Sequence, residues 1–226
     1  MPQTMRKLTR HQPLVIVASG DSITSGNQTS GTANVPPYMP TWPELFIRRL
    51  KTRYGHEGIR FYNTAVGGTG STWGLENADN NITSLDPDLV LIAFGMNDYW
   101  SQPVEEYRKN IQGMIAKVRA RHPNTEFVLI SSMQYDPTYT TDPARRSRLL
   151  GYATALKSLT GPGVCLLDMT TITGALYAAK TPKDFLSDPL HPNDFLARWY
   201  AQGLVSLFDP EQTSPRPATV PHSRSR

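Results

Sequence analysis

The stretch LVIVASGDSITSG, residues 14–26, decides how the rest of the chain is read. Its first half is a short, almost unbroken apolar run, the pattern of a strand buried on both faces of a parallel sheet. Its second half turns polar at once, so Gly20-Asp21-Ser22 leaves the strand on a turn. Four further runs repeat the strand signal: IRFYN (59–63), DLVLIAF (88–94), EFVLIS (126–131) and GVCLLD (163–168). Between them the spacing predicts helices. Thr41 caps one that contains Pro43 and Glu44 and stops near Gly55. Val104, Tyr107, Ile111, Met114, Ile115 and Val118 recur at steps of three and four between Pro103 and Arg121, which marks an amphipathic helix. Residues 143–159 and 192–208 are two more, with shorter helices after Ser71 and after Met169.

Strand–helix alternation implies a three-layer α/β/α domain around a five-stranded, mostly parallel sheet, flavodoxin-like in class. The expected division is an N-terminal lead-in over 1–12, one domain over 13–209, and a basic, Pro-rich tail over 210–226 whose composition predicts disorder.

Composition narrows the classes of function. The 226 residues are 38% hydrophobic and 19% charged, the profile of one ordinary domain that needs no staples. No apolar run spans a bilayer, and Leu14–Ala18 is too short for the centre of a signal peptide. The expectation is a cytoplasmic protein with no membrane span, export by a non-classical route remaining open. Cys165 is the single cysteine, so there is no internal disulfide and no multi-thiolate zinc site. The net charge of +4 comes from the two ends, Arg6, Lys7 and Arg10 at one and Arg216, Arg224 and Arg226 at the other, which leaves the body near neutral. Nucleic acid is therefore not an expected partner. The basic clusters at 48–53 and 145–148 read as solvated helix faces. No signal for an oligomeric state is present.

In a parallel sheet the loops beyond the carboxyl ends of the strands converge, and ligands bind there. The polar clusters fall in those loops: GDSITSG (20–26), NTAVGGTGS (63–71), GMNDYW (95–100), SMQYDPTY (132–139) and SDPLHPND (187–194). Acyl transfer requires a nucleophile, an oriented base and donors aimed at a developing oxyanion. Ser22 follows a buried strand and offers the hydroxyl. His191 has Asp188 three residues before it, a spacing that lets the carboxylate hold one ring nitrogen and leaves the other for the serine proton. Gly67 and Gly68 allow close backbone approach, and the Asn97 amide is a neutral donor. Taken singly, each has a plainer reading: Ser22 as a helix cap, Asp188–His191 as a turn pair, the glycines as a tight turn, Asn97 as a cap.

Taken together, GDSIT, the glycine loop ending at Gly68, GMND and DPLH resemble the four motif blocks of the SGNH hydrolases, the GDSL-type lipase/acylesterase superfamily. They occur in order over residues 14–208. The resemblance implies a cofactor-free, metal-independent serine esterase. Ser22 would be its nucleophile, Asp188 and His191 the rest of the catalytic triad, and Ser22, Gly68 and Asn97 the oxyanion hole. One departure is Ala65, where the glycine block often begins with glycine.

Substrate is less sharply drawn. Tyr38, Trp42, Trp73, Tyr99, Trp100 and Tyr135 lie on loops beside these motifs and are candidate substrate-binding residues, suited to a sugar ring or to an acyl chain. With no long hydrophobic lid, the expectation is a small-molecule or glycan ester with short acyl groups, acetyl esters of a carbohydrate among them. Lipase, lysophospholipase and thioesterase activities are alternatives within the same superfamily. Three readings from other classes fit less well. A nucleotide-binding module would use the GGTGS loop, but no P-loop Lys-Ser or Lys-Thr accompanies it. A metal-dependent hydrolase built on Asp21, Asp98, Asp188 and His191 has no common ligand spacing. A catalytically inert relative would have lost candidate groups that are all present here.

Overall fold

A computed structural model describes residues 1–209; the predicted tail, 210–226, lies outside them. The five predicted runs form strands β1 (Leu14–Gly20), β2 (Ile59–Asn63), β3 (Leu89–Ala93), β4 (Glu126–Ile130) and β5 (Val164–Leu167). They pair in the order β2-β1-β3-β4-β5, and all four pairings are parallel. Every residue of β1 and of β4 is buried, whereas β2 and β5 at the two edges are partly exposed. This accounts for the one strand that is not an apolar run: IRFYN has a single covered neighbour strand. A short antiparallel ribbon, β6 (Leu186–Asp188) with β7 (His191–Pro192), follows the sheet.

The helices are α1 (Pro2–Thr9), α2 (Ser22–Ser25), α3 (Trp42–Tyr54), α4 (Ser71–Glu76), α5 (Ala78–Asn81), α6 (Val104–Arg121), α7 (Pro143–Ser158), α8 (Met169–Ala179) and α9 (Asp194–Leu207). Helix α3 begins as its sequence predicts. Thr41 and Glu44 form a capping box, Pro43 sits in the first turn, and Gly55 closes the helix in the left-handed conformation. Helices α3 and α9 pack against each other, while α4 packs on α6 and α6 on α7. Between α3 and α9, Trp42 stacks on Tyr200 with ring centres 5.5 Å apart, and Phe46 meets Phe208 at 5.6 Å. In the other layer Tyr107 of α6 stacks on Tyr152 of α7 at 4.1 Å. No helix among the described residues is long and apolar enough to cross a membrane.

The lead-in carries a helix of its own. Residues 2–9 are a helix docked on the amino-terminal edge of the sheet, with Leu8 fully buried. Its first turn has no side-chain cap of its own. Glu126, at the start of β4, supplies one by accepting from Gln3 N at 3.1 Å and Thr4 N at 2.8 Å. Lys7 pairs with Asp88, whose other oxygen accepts from Val15 N at 2.9 Å. Glu126→Ala would leave two helix-start donors without a partner, at a cost of about 1–3 kcal/mol. Because it lies at the opposite end of the sheet from the polar loops, it is expected to lower the midpoint of urea unfolding while leaving specific activity intact.

Candidate active site

Beyond the carboxyl edge of the sheet, β1 ends at Gly20, where the chain must pass tightly over β3. A Cβ there would lie 2.4 Å from the Ala93 carbonyl oxygen and 2.3 Å from Thr24 Oγ1, so only glycine fits. Asp21 then caps the one-turn helix α2 by accepting from Ile23 N at 3.0 Å, and Gly26 ends it at φ 84°. Ser22 is thus not the cap; it is the first helical residue, on a turn held by its neighbours on both sides.

The base side is built by the ribbon. Asp188 and His191 are cross-strand partners of β6 and β7. Asp188 Oδ1 accepts from the backbone N–H of Leu190 at 2.8 Å and of His191 at 2.9 Å, which fixes the carboxylate before it meets the ring. The ring Nδ1 lies 2.8 Å from Asp188 Oδ2 and 3.0 Å from Oδ1, and Nε2 lies 2.8 Å from Ser22 Oγ. A carboxylate accepts, so the neutral imidazole carries its hydrogen on Nδ1, and Nε2 is left with a lone pair facing the serine hydroxyl. The sequence brings these three together across 169 positions.

Two loops stand beside the serine. Gly67 rests against it, since a Cβ at that position would be 3.7 Å from Ser22 Cβ. Gly68 follows at φ 79°, a conformation that favours glycine, with open space on its Cβ side. Asn97, after β3, donates from Nδ2 to Thr69 O at 2.8 Å, which ties the third loop to the glycine loop. An amide nitrogen carries two hydrogens, and that bond uses one.

The family is now decided. A model of the GDSL-like lipase/acylhydrolase family matches residues 18–198, most of the chain. The chain belongs to this family. Its fold is the three-layer α/β/α arrangement described above. Among solved structures, a two-domain esterase active on acetylated mannans is similar at TM-score 0.71 and 20% identity, covering 100% of this chain and 56% of that one. The chain therefore spans just over half of that protein's length. A catalytic mutant of an acetylxylan esterase from Geobacillus stearothermophilus gives 0.72 and 17%, covering 90% and 97% of the two chains. A lipase from a goat rumen metagenome gives 0.68 and 17%, covering 85% and 96%. No curated protein sequence matches.

The six aromatic candidates do not form one rim on this GDSL-like scaffold. Trp42 and Tyr99 have no exposed surface, so neither can present a face to a substrate, and both are corrected to core residues. Trp42 sits between α3 and α9 and donates its indole N–H to Ile23 O at 3.0 Å, bracing the serine turn from behind. Tyr99 stacks on Tyr135 at 4.9 Å, and Tyr135 is buried as well, which removes it from the rim. Burial pushes the hydroxyls of Tyr99 and Tyr135 up from the usual phenol range. Trp73 is half-buried, and Tyr38 and Trp100 are exposed. Trp100 has one ring face covered by the Arg145 guanidinium, 3.8 Å from the ring centre. Arg148 donates to Tyr99 O at 2.8 Å and Trp100 O at 2.7 Å. The 145–148 cluster is thus partly structural, since two of its arginines clamp the end of the Asn97 loop.

Sequence reasoning missed what lies under the site. Asp21 and Asp98, considered only as misreadable metal ligands, are two buried carboxyls joined to the three loops. Asp98 Oδ1 accepts from Ser71 N at 2.8 Å and Ser71 Oγ at 2.5 Å, and Asn110 of α6 donates to Ser71 Oγ at 3.0 Å. Their adjacency in sequence to Ser22 and Asn97 was the available signal.

Proposed function

We propose that the protein is a serine esterase that cleaves short acyl groups, acetyl esters of a carbohydrate being the favoured class, through an acyl-enzyme on Ser22. The observation that carries this reading is the single line of contacts from Ser22 Oγ to His191 Nε2 and from Nδ1 to Asp188. In the first half-reaction Nε2 takes the hydroxyl proton as Oγ attacks the ester carbonyl. The imidazolium, held by Asp188, then returns that proton to the departing alcohol oxygen. In the second half-reaction His191 takes a proton from water, the resulting nucleophile attacks the acyl carbonyl, and Ser22 Oγ leaves with the proton restored. Backbone N–H groups of Ser22 and Gly68 and the Asn97 amide serve as the donors for the oxyanion formed in each half.

Two features bear on the substrate, one on the acyl group and one on the alcohol. A hollow lined by Leu176, Ala179, Phe185 and Phe195, with Lys180 and Asp184 beside them, includes none of Ser22, Gly68, Asn97 or His191, so it is not where an acyl chain on the serine would start. The likeness to enzymes described as active on acetylated mannans and acetylxylan supports the carbohydrate class. The test is a series of nitrophenyl esters of increasing chain length run beside acetylated oligosaccharides. Acetyl should be hydrolysed fastest, and a preference for long chains would replace this reading with a lipase.

Asn97→Ala measures the amide donor. Loss of one oxyanion donor costs about 10²–10³-fold in kcat, and steady-state kinetics should show that drop with little change in KM. The lost bond to Thr69 O is at a loop, so the thermal midpoint should move only slightly.

A further inference from the structure

We propose that Asp21 and Asp98 are positioning residues, a pair of buried carboxyls that lock the turns bearing Ser22, Gly68 and Asn97 into one unit so that the oxyanion donors converge. The inference rests on the esterase reading of Ser22 and extends it to residues that touch neither the serine hydroxyl nor the histidine ring. Asp21 is only 2% exposed and Asp98 5%. The Asp21 carboxyl accepts from the Ile23 N–H of its own turn at 3.0 Å, and the Asp21 backbone N–H donates to Ala93 O at the end of β3, the strand that leads into the Asn97 loop. Asp98, the residue after Asn97, holds both the N–H and the hydroxyl of Ser71, where the glycine loop enters α4. A Cβ on Gly70 would stand 3.2 Å from that carboxyl, so the loop is drawn tightly onto it. Asn110 holds Ser71 from α6, and Asn97 reaches across to Thr69. Bonds thus tie the serine turn to the end of β3, and tie the Asn97 loop that follows β3 to the glycine loop and a long helix. A carboxyl suits this role because one oxygen can accept more than one bond, as Asp98 Oδ1 does from the N–H and the hydroxyl of Ser71.

Charge makes the pair recognisable in solution. Burial pushes the Asp21 carboxyl up to about 7, the Ile23 N–H opposing the rise and the Asp98 charge adding to it. Asp98 is raised too, by burial, against the Ser71 donors. The groups whose charges bear on Asp21 are Asp98 from the β3 loop, Tyr107 from α6 and Tyr200 from α9. Burial holds both tyrosines neutral, so Asp98 is the one among them that ionises in the acid range. The folded chain keeps a proton on Asp21 that the unfolded chain releases near 4. Its contribution to stability is complete below that value and is lost as pH rises towards 7.

The experiment compares wild type, Asp21→Ala, Asp21→Asn and Ser71→Ala. It measures kcat and KM on nitrophenyl acetate, labelling by a fluorophosphonate, and the thermal midpoint from pH 4 to 7. Asp21→Ala is expected to lower kcat by roughly 10–10²-fold with KM changed less than about threefold. Asp21→Asn, which mimics the protonated carboxyl, should recover most of that loss and flatten the fall of the midpoint with pH. Full kcat in a folded Asp21→Ala protein, a loss confined to KM, or no recovery with asparagine would overturn the proposal. If Asp21→Ala does not fold, Ser71→Ala decides: it removes one donor to Asp98 and should lower kcat a few-fold at constant KM, and unchanged kcat refutes the pair. Wild type that neither labels nor hydrolyses any ester would instead refute the esterase reading, an outcome separate from all of these.

Discussion

Alanine at position 22 is expected to lower kcat by about 10⁴-fold or more, leaving what the donors and substrate binding contribute alone. The substitution removes one oxygen, whose bond is to the His191 ring at 2.8 Å. It leaves the backbone N–H of residue 22, the Asp21 cap and the Ile23 carbonyl brace to Trp42 untouched. The thermal midpoint should therefore stay close to that of the wild type, and labelling by a fluorophosphonate should vanish. A folded Ser22→Ala protein with ordinary turnover would show that the hydroxyl takes no part, and the esterase mechanism would fall with it.

Asp188→Asn is expected to be nearly as damaging, by about 10³–10⁴-fold in kcat. The reason is tautomeric. Asp188 holds the N–H groups of Leu190 and His191 through Oδ1, so an asparagine places its carbonyl oxygen there and its NH₂ against Nδ1. The ring must then accept at Nδ1 and carry its hydrogen on Nε2, where it faces the serine hydroxyl as a donor. The backbone bonds of the ribbon survive, so the protein should fold. The deficit should lie in kcat rather than KM, and acylation measured by burst kinetics should be the step that slows. An asparagine variant with full activity would show that the carboxylate does not set the tautomer.

Much of the architecture is legible from short-range pattern. The apolar runs 14–19, 88–94 and 126–131 match β1, β3 and β4 because a strand covered on both faces has no polar position to interrupt it. The start and stop of α3 are readable because Thr41, Pro43, Glu44 and Gly55 act within a few bonds of where they sit. Helix α1 was not legible for the opposite reason. Its start depends on Glu126, more than a hundred residues away, and its own composition reads as a short basic segment. The aromatic loops failed similarly: Trp42 and Tyr99 have the composition of a binding rim, yet whether a ring faces solvent depends on what packs over it. For Trp42 that is Tyr200, and for Tyr99 it is Tyr135.

The chain alone determined which chemical groups stand at the ends of which strands, since parallel strands joined by helices deliver every following loop to one edge. It also determined that His191 would travel with Asp188, three residues being close enough for one turn to pair them. Tertiary structure decided the rest. It set the 2.8 Å between residues 22 and 191 and the burial of two carboxyls beneath the loops. It also settled which aromatic rings remain in contact with water. These depend on distances between segments far apart in sequence, and such distances exist only once the core has closed and excluded solvent.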